Sequence, residues 1–181
     1  MKNNTMTYDF EDGVGPVPAH QHSRGRGWVA NTARVESSAY IGPNARIYGT
    51  AEVFGNARVY DNAWVFGTAE VYDNAWVFGT AEVYDNAVVY DNAVVYGNAV
   101  VSDNARVFGN AGVFGNAGVY GNAWVFGNAW VFGNASVCDT AKVSGAAKVS
   151  GAAKVYGNAE VYGNAEVYDD HHPLLWRSTK Q

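Results

Sequence analysis

The stretch GNAWVFGNAWVFGNASV, Gly121 to Val137, decides the fold. It places three large apolar residues side by side, Trp124-Val125-Phe126, and repeats the triplet six residues later as Trp130-Val131-Phe132. Burying all six would need a thick core. Burying only the valines leaves the rings facing outward, and the period shows which holds. Counting outward from Val125 in steps of six, every position from Val29 to Val167 is Val or Ile, 24 in succession. Two residues before each, from Ala33 to Ala165, stands Ala, 23 times without exception. The unit is A-x-V-[YF]-[GD]-[NT], with no insertion or deletion.

A period of six matches neither an amphipathic helix nor a coiled coil. It matches a short strand followed by a tight corner. In x-V-[YF] the alternation of a strand puts Val on one face and its two neighbours on the other. The [GD]-[NT] pair then turns the chain, since Gly and Asn adopt left-handed backbone angles cheaply and Asp less so. Ala completes the corner where only a small side chain fits. The expected organisation is an N-terminal cap (1–27), a repeat domain (28–168) and a C-terminal cap or tail (169–181).

This pattern, from Trp28 to about Tyr168, resembles the hexapeptide-repeat proteins that fold as a left-handed parallel β-helix. The resemblance implies an all-β chain of about eight triangular coils, three hexads to a coil, so that residues 18 apart stack. At about 4.8 Å per strand the eight coils would run roughly 38 Å. Asn columns at the corners, such as Asn86, Asn104 and Asn122, would hydrogen-bond along the axis, as amides do in other stacked-strand assemblies.

Inward valines leave the rings outside. The residue after the inward aliphatic is Tyr or Phe in 17 of the 24 hexads. Stacked at 18 residues these rings form ladders: Tyr48–Phe66–Tyr84, Phe54–Tyr72–Tyr90–Phe108–Phe126, and Tyr60–Phe78–Tyr96–Phe114–Phe132. Two uses follow, and they are compatible. The ladders stiffen the solenoid as cross-strand pairs do, and a broad apolar surface marks an association face. The residue before each Val adds stacks of Trp28–Arg46–Trp64 and Tyr40–Arg58–Trp76, which favour cation–π attraction. Lys142 over Glu160 and Lys148 over Glu166 are opposite-charge steps. Between the cation–π stacks and these steps lies an uncharged belt of Val88, Val94, Val100, Gly112 and Gly118, then Trp124 and Trp130, expected to be exposed. The expected interaction surface is Val88, Val94, Val100, Tyr96, Phe108, Phe114, Tyr120, Trp124, Phe126, Trp130 and Phe132.

Composition narrows the function. Twelve Lys+Arg against 17 Asp+Glu, net -5, supplies no basic stripe for nucleic acid. No run reaches the ~18 apolar residues of a membrane helix. A single cysteine, Cys138, excludes an internal disulfide, and MKNNTMTYDFEDG is not a secretory signal. The expected location is the cytoplasm. Hexapeptide acyltransferases use a general-base His and loops that break the coils; here no His lies between Trp28 and Asp170, and the coils are uninterrupted. Neither a catalytic residue, a cofactor nor a metal site is expected. His20 and His22 in the head and His171 and His172 in the tail read as polar caps; an acyltransferase-like enzyme with its site at a subunit junction is the alternative that would use them. Corner pairs Asp73/Asp91 and Asp85/Asp103 read as turn residues. Thr32, Thr50 and Thr68 make one short column, too little for ice binding.

The expected function is a non-catalytic, self-associating scaffold. Copies of the chain are the first partner, as a trimer by resemblance or as a filament through open strand edges, and a host protein is a further one. A glycan-binding module is the other alternative, since exposed Trp and Tyr stack on sugars. The opening EDGxGPVPAHxHxxGxGWVAxTA (residues 11–33) resembles the start of uncharacterised bacterial and phage repeat proteins, which implies a microbial or mobile-element setting.

Overall fold

The structure is a computed structural model describing residues 6–168. Its strands are β1 (Thr7–Tyr8), β2 (Val17–Gln21), β3 (Trp28–Ala30), and then one every six residues from Arg34–Val35 to Glu166–Val167. Successive strands enter three sheets in rotation. The first wall has ten strands and begins β1-β2-β3; the second starts at Arg34–Val35 and the third at Tyr40–Ile41, each with eight. From β3 onward all pairing is parallel and 18 residues apart, as in Val71↔Val89, Val77↔Val95 and Val83↔Val101. The chain is therefore an all-β, parallel β-solenoid of about eight coils.

The local reason is conformational. A strand continues until the chain is turned, and from Gly49 to Gly163 every corner supplies a residue with positive φ to turn it. Gly97 has φ 75°, and Asp61, Asp73, Asp85, Asp91, Asp103 and Asp139 lie between 56° and 60°. Ala and Val/Ile then point inward. From Ile41 to Val149 every member of the aliphatic column is fully buried, as are nearly all the alanines beside it. Each coil donates backbone N–H groups to the next, for example Val88 N to Ala105 O at 2.9 Å and Asn92 N to Gly109 O at 2.9 Å.

The corner side chains run along the axis. Asn56, Asn74, Asn92, Asn110 and Asn128 form one amide chain, with Nδ2 donating to the next Oδ1 at 3.5, 3.4, 3.1 and 3.1 Å. Asn98, Asn116 and Asn134 form another at 2.8 and 3.0 Å. On the first wall's corner Asn86 donates to Asn104 at 3.2 Å, and Thr68 donates into this column at Asn86 Oδ1 at 2.5 Å. Thr32, Thr50 and Thr68 direct their hydroxyls at backbone carbonyls of the next coil, so they belong to this network.

The corner aspartates have a part that the sequence reading missed. Asp61, Asp91, Asp103 and Asp139 each have Gly 18 residues on, and each accepts that glycine's N–H at 2.8–3.2 Å. The carboxylate caps an amide that the strand ladder does not use.

The head lies on the first coil and meets an edge on each wall. β2 pairs antiparallel with β3, and β1 with β2. On the third wall Ile41 N donates to Arg24 O (3.0 Å) and Gly27 N donates to Ile41 O (2.9 Å). On the second, His22 Nε2–H donates to Glu36 O at 3.1 Å. Gly27 is required there, because a Cβ would fall 2.3 Å from Gly42 O and 2.4 Å from Ile41 Cγ2. The tail, with His171, His172, Leu174, Leu175 and Trp176, lies outside the described residues.

One expected stack is altered by the head. Arg46 sits over Trp64 at 5.0 Å, but its other ring is Tyr8 at 5.8 Å rather than Trp28. Tyr8 itself stacks on Trp28 at 4.4 Å. The head folds back and inserts a ring into the column, and Glu11 adds an ion pair to Arg46 at 2.9 Å. That hydrogen-bonded guanidinium holds the Glu11 carboxyl below its ordinary pKa. Phe10, buried, packs on Tyr48, whose hydroxyl burial pushes up to about 12, with Asp12 and Glu82 reinforcing the shift.

Candidate interaction surface

The three ladders are present and continuous. On the second wall Phe54, Tyr72, Tyr90, Phe108 and Phe126 stack at 4.9, 5.0, 4.8 and 5.0 Å, with ring planes within 13° of parallel. On the third, Tyr60, Phe78, Tyr96, Phe114 and Phe132 stack at 4.8–5.0 Å. The first wall holds Tyr48, Phe66 and Tyr84 at 4.8 Å, on which Phe10 adds a fourth ring. The spacing is that of the strands, so ring stacking and strand pairing reinforce one another. Apart from Tyr48, which Phe10 helps to bury, the rings are half-buried: neighbours in the ladder cover their faces, and the edges point outward. Burial raises the pKa of Tyr60, Tyr72, Tyr90 and Tyr120.

Among the middle coils the large side chains that stand clear are tryptophans, and toward the last coils Tyr156, Tyr162 and Tyr168 are exposed as well. Trp124 is 38% and Trp130 47% exposed, and Trp76 is exposed as well. Arg106 and Lys142 lie on either side of Trp124 at 5.7 and 5.8 Å, and Phe108 meets it edge-on at 6.1 Å. Trp130 meets Phe114 edge-on at 5.9 Å. Arg58 covers Trp76 at 5.2 Å. The expected ion pairs are made, Lys142–Glu160 at 3.3 Å and Lys148–Glu166 at 3.1 Å; Arg34–Glu52 at 3.0 Å was not anticipated. All three are solvent-exposed and screened, so they contribute little to stability.

The expected surface is divided by the fold. Val100 and Tyr120 lie on the first wall; Val88, Phe108, Trp124 and Phe126 on the second; Val94, Tyr96, Phe114, Trp130 and Phe132 on the third. A step of six residues moves the chain to another wall, so a flat partner meets only one of these groups at a time. The belt needs a correction too. Val88, Val94 and Val100 are half-buried, but Gly112 and Gly118 are buried. A Cβ on Gly118 would lie 2.0 Å from the Tyr120 hydroxyl, which shows that the Tyr120 ring lies back over its own strand. A Cβ on Gly112 would meet the flanking rings of Phe114 and Trp130 at 3.7 Å. Absence of a side chain leaves a hollow, and a neighbouring ring fills it.

The polar candidates are engaged by the cap and corners. While Nε2–H of His22 donates to Glu36 O, its Nδ1 lies against the Arg24 backbone, 3.3 Å from the N and 3.2 Å from the carbonyl O. His20 Nδ1 donates to Asn31 Oδ1 at 2.9 Å. The two imidazoles therefore serve different partners. Among the described residues no group of three or more His, Cys, Asp and Glu converges in metal-holding geometry. Cys138 is half-buried; burial raises its thiol pKa, Asp139 adding to the shift and Lys154 opposing it. A shallow groove runs along the corner after the second wall, between Asp73, Asp91 and the Asn56–Asn110 amides.

Stacked parallel strands, inward aliphatics and axial ladders define a β-solenoid repeat protein. A sequence model of one such family, described as the YdcK beta solenoid repeat, matches residues 51–67, 81–97 and 89–103. These segments lie within the coils between Ala51 and Asp103. No curated protein and no solved structure matches the chain.

Proposed function

We propose that the chain is a non-catalytic, self-associating scaffold, built on the left-handed triangular coil of the hexapeptide-repeat proteins it resembles, whose aromatic walls bind further copies or a protein partner. The observation that carries this reading is the unbroken five-ring ladder on each of two walls, with ring edges outward over the whole middle of the solenoid. Such continuous apolar surface on a regular, loop-free wall is what a subunit contact uses. Engagement of the His20 and His22 nitrogens by Asn31, Arg24 and Glu36 supports a structural role for the head. A native mass spectrum and light scattering of the purified protein test the reading. Two or more copies at micromolar concentration are expected; a monomer at every concentration contradicts it.

One observation favours a second reading. Trp124 and Trp130 stand exposed on consecutive walls of one coil, and exposed indoles stack on sugar rings. Retention on a glycan array that disappears in Trp124→Ala/Trp130→Ala would establish that role, and a blank array would dismiss it.

A further inference from the structure

The outward column beside the second wall's ladder has a charge order whose two outermost steps are complementary when the column is reversed. From the head downward it runs Arg34, Glu52, Glu70, Val88, Arg106, Trp124, Lys142, Glu160, all in strand register. We infer that the second wall is the contact face of an antiparallel homodimer, with the twofold axis along the strands between the coils of Val88 and Arg106. This rests on the self-association reading and specifies its geometry.

In that arrangement the column faces itself with the axis reversed. Arg34 meets Glu160 of the second copy, and Glu52 meets Lys142. Glu70 meets Trp124, one coil from Arg106, and Val88 meets Arg106. No position brings like charges together. The two intrachain pairs, Arg34–Glu52 and Lys142–Glu160, come face to face at each end as squares of alternating charge. The same operation sets ladder on ladder: Tyr90 opposite Phe108 and Tyr72 opposite Phe126, so rings run through the middle of the face beside Arg106 and Glu70, whose opposite charges lie one coil apart across the axis, and the charge squares close its two ends. Rings framed by matched charges give such a face specificity as well as area.

The other arrangements lack this match. Reversing the third wall on itself sets Arg58 against Lys148. Reversing the first sets Arg46 against Ser136 and Glu82 against Val100, so no opposite charges meet. A parallel twofold on the second wall turns its charged column onto its rings. Size is adequate as well. Eight strands at about 4.8 Å and a wall about 15 Å wide present roughly 550 Å² per copy, near 1,100 Å² in total, above the ~1,000 Å² that a specific contact needs.

The test uses two full-length variants and their mixture, followed by sedimentation equilibrium. Glu52→Lys alone sets two positive side chains against each other at both ends, since its counterpart across the interface is Lys142. Lys142→Glu alone does the same with two carboxylates, since its counterpart is Glu52. Each is expected to weaken dimerisation about tenfold or more. Mixed together, each end pairs opposite charges again, and the dimer should return as a one-to-one heterodimer. Arg34→Glu with Glu160→Arg must behave in the same way, and far-UV circular dichroism checks that all four stay folded. Wild-type protein that associates while the variants associate equally well, or whose variant mixture shows no recovery, overturns the antiparallel face and leaves self-association standing. A wild-type trimer also overturns it. A wild-type monomer overturns both readings.

Discussion

Replacing Val95 by Asp puts a carboxyl in the middle of the third wall's inward column. Val95 is 0% exposed, and its register partners Val77 and Val113 are equally buried. Losing the buried valine costs about 1.5 kcal/mol or more. Burying a neutral, unpartnered acid costs about 1–3 kcal/mol by mutational standards. Ionisation is the larger part: burial raises such a carboxyl by about 3–5 units, so it must be protonated on folding at neutral pH. Between its unfolded pKa near 3.9 and pH 7 that requirement grows to about 4 kcal/mol, at ~1.4 per unit. The sum, about 7–8 kcal/mol at pH 7, is comparable with the ~5–15 kcal/mol of a whole domain. The sign follows from a folded pKa raised above the unfolded one. The penalty is smallest below about pH 4 and grows as pH rises toward the folded value. Urea melts at pH 4, 5.5 and 7 measure this, and hydrogen exchange should show lost protection centred on the coils from Val77 to Val113, since a solenoid fails locally. An unchanged melt at pH 7, or a loss independent of pH, would refute an interior, partnerless Val95.

Three further outcomes are expected. Gly97 has φ 75° and a Cβ there would lie 3.0 Å from Gly115 N and O; Gly97→Val should cost about 1–3 kcal/mol in urea unfolding. Gly97→Asp should cost less, because Asp91 holds the same conformation and caps the glycine below it; equal losses would contradict the corner account. Gly27→Ala should displace the head and strip exchange protection from Ile41, whose N–H is held by Arg24 O, while Gly42, bonded to Val59 O of the next coil, and the coils beyond Val83 keep theirs; protection at Ile41 equal to wild type would count against the close approach. Tyr90→Ser with Phe108→Ser should abolish the dimer, and Phe114→Ser with Phe132→Ser should leave its mass unchanged; reversed results would move the contact to the third wall.

The periodic part of the molecule was legible because each hexad repeats one local decision. Val or Ile inward, Ala at the corner and Gly or Asp at positive φ together dictate register, ladders, amide columns and the Lys–Glu steps. What failed to show was aperiodic or depended on what a neighbour lacks. Tyr8 reaches Trp28 only because the head folds back, which no spacing encodes. Gly112 and Gly118 were expected outside, but small residues invite the adjacent rings to lie over them. The capping by Asp61, Asp91, Asp103 and Asp139 is visible in retrospect as an Asp followed 18 residues later by Gly. The candidate surface consists of side chains outside the aliphatic core, as the alternation requires, yet its division among three walls emerges only when each hexad is assigned to its wall.

The most direct test of the 18-residue coil is a distance between spin labels at Asn56 and Asn164, both exposed on one corner column. The labels replace these residues in a Cys138→Ser background diluted with unlabelled protein. The pair is 108 residues apart, six coils, so dipolar spectroscopy should find about 29 Å at the ~4.8 Å strand spacing. A coil of about 12 residues would instead give about 43 Å, and a distance near that value would contradict the three-walled solenoid.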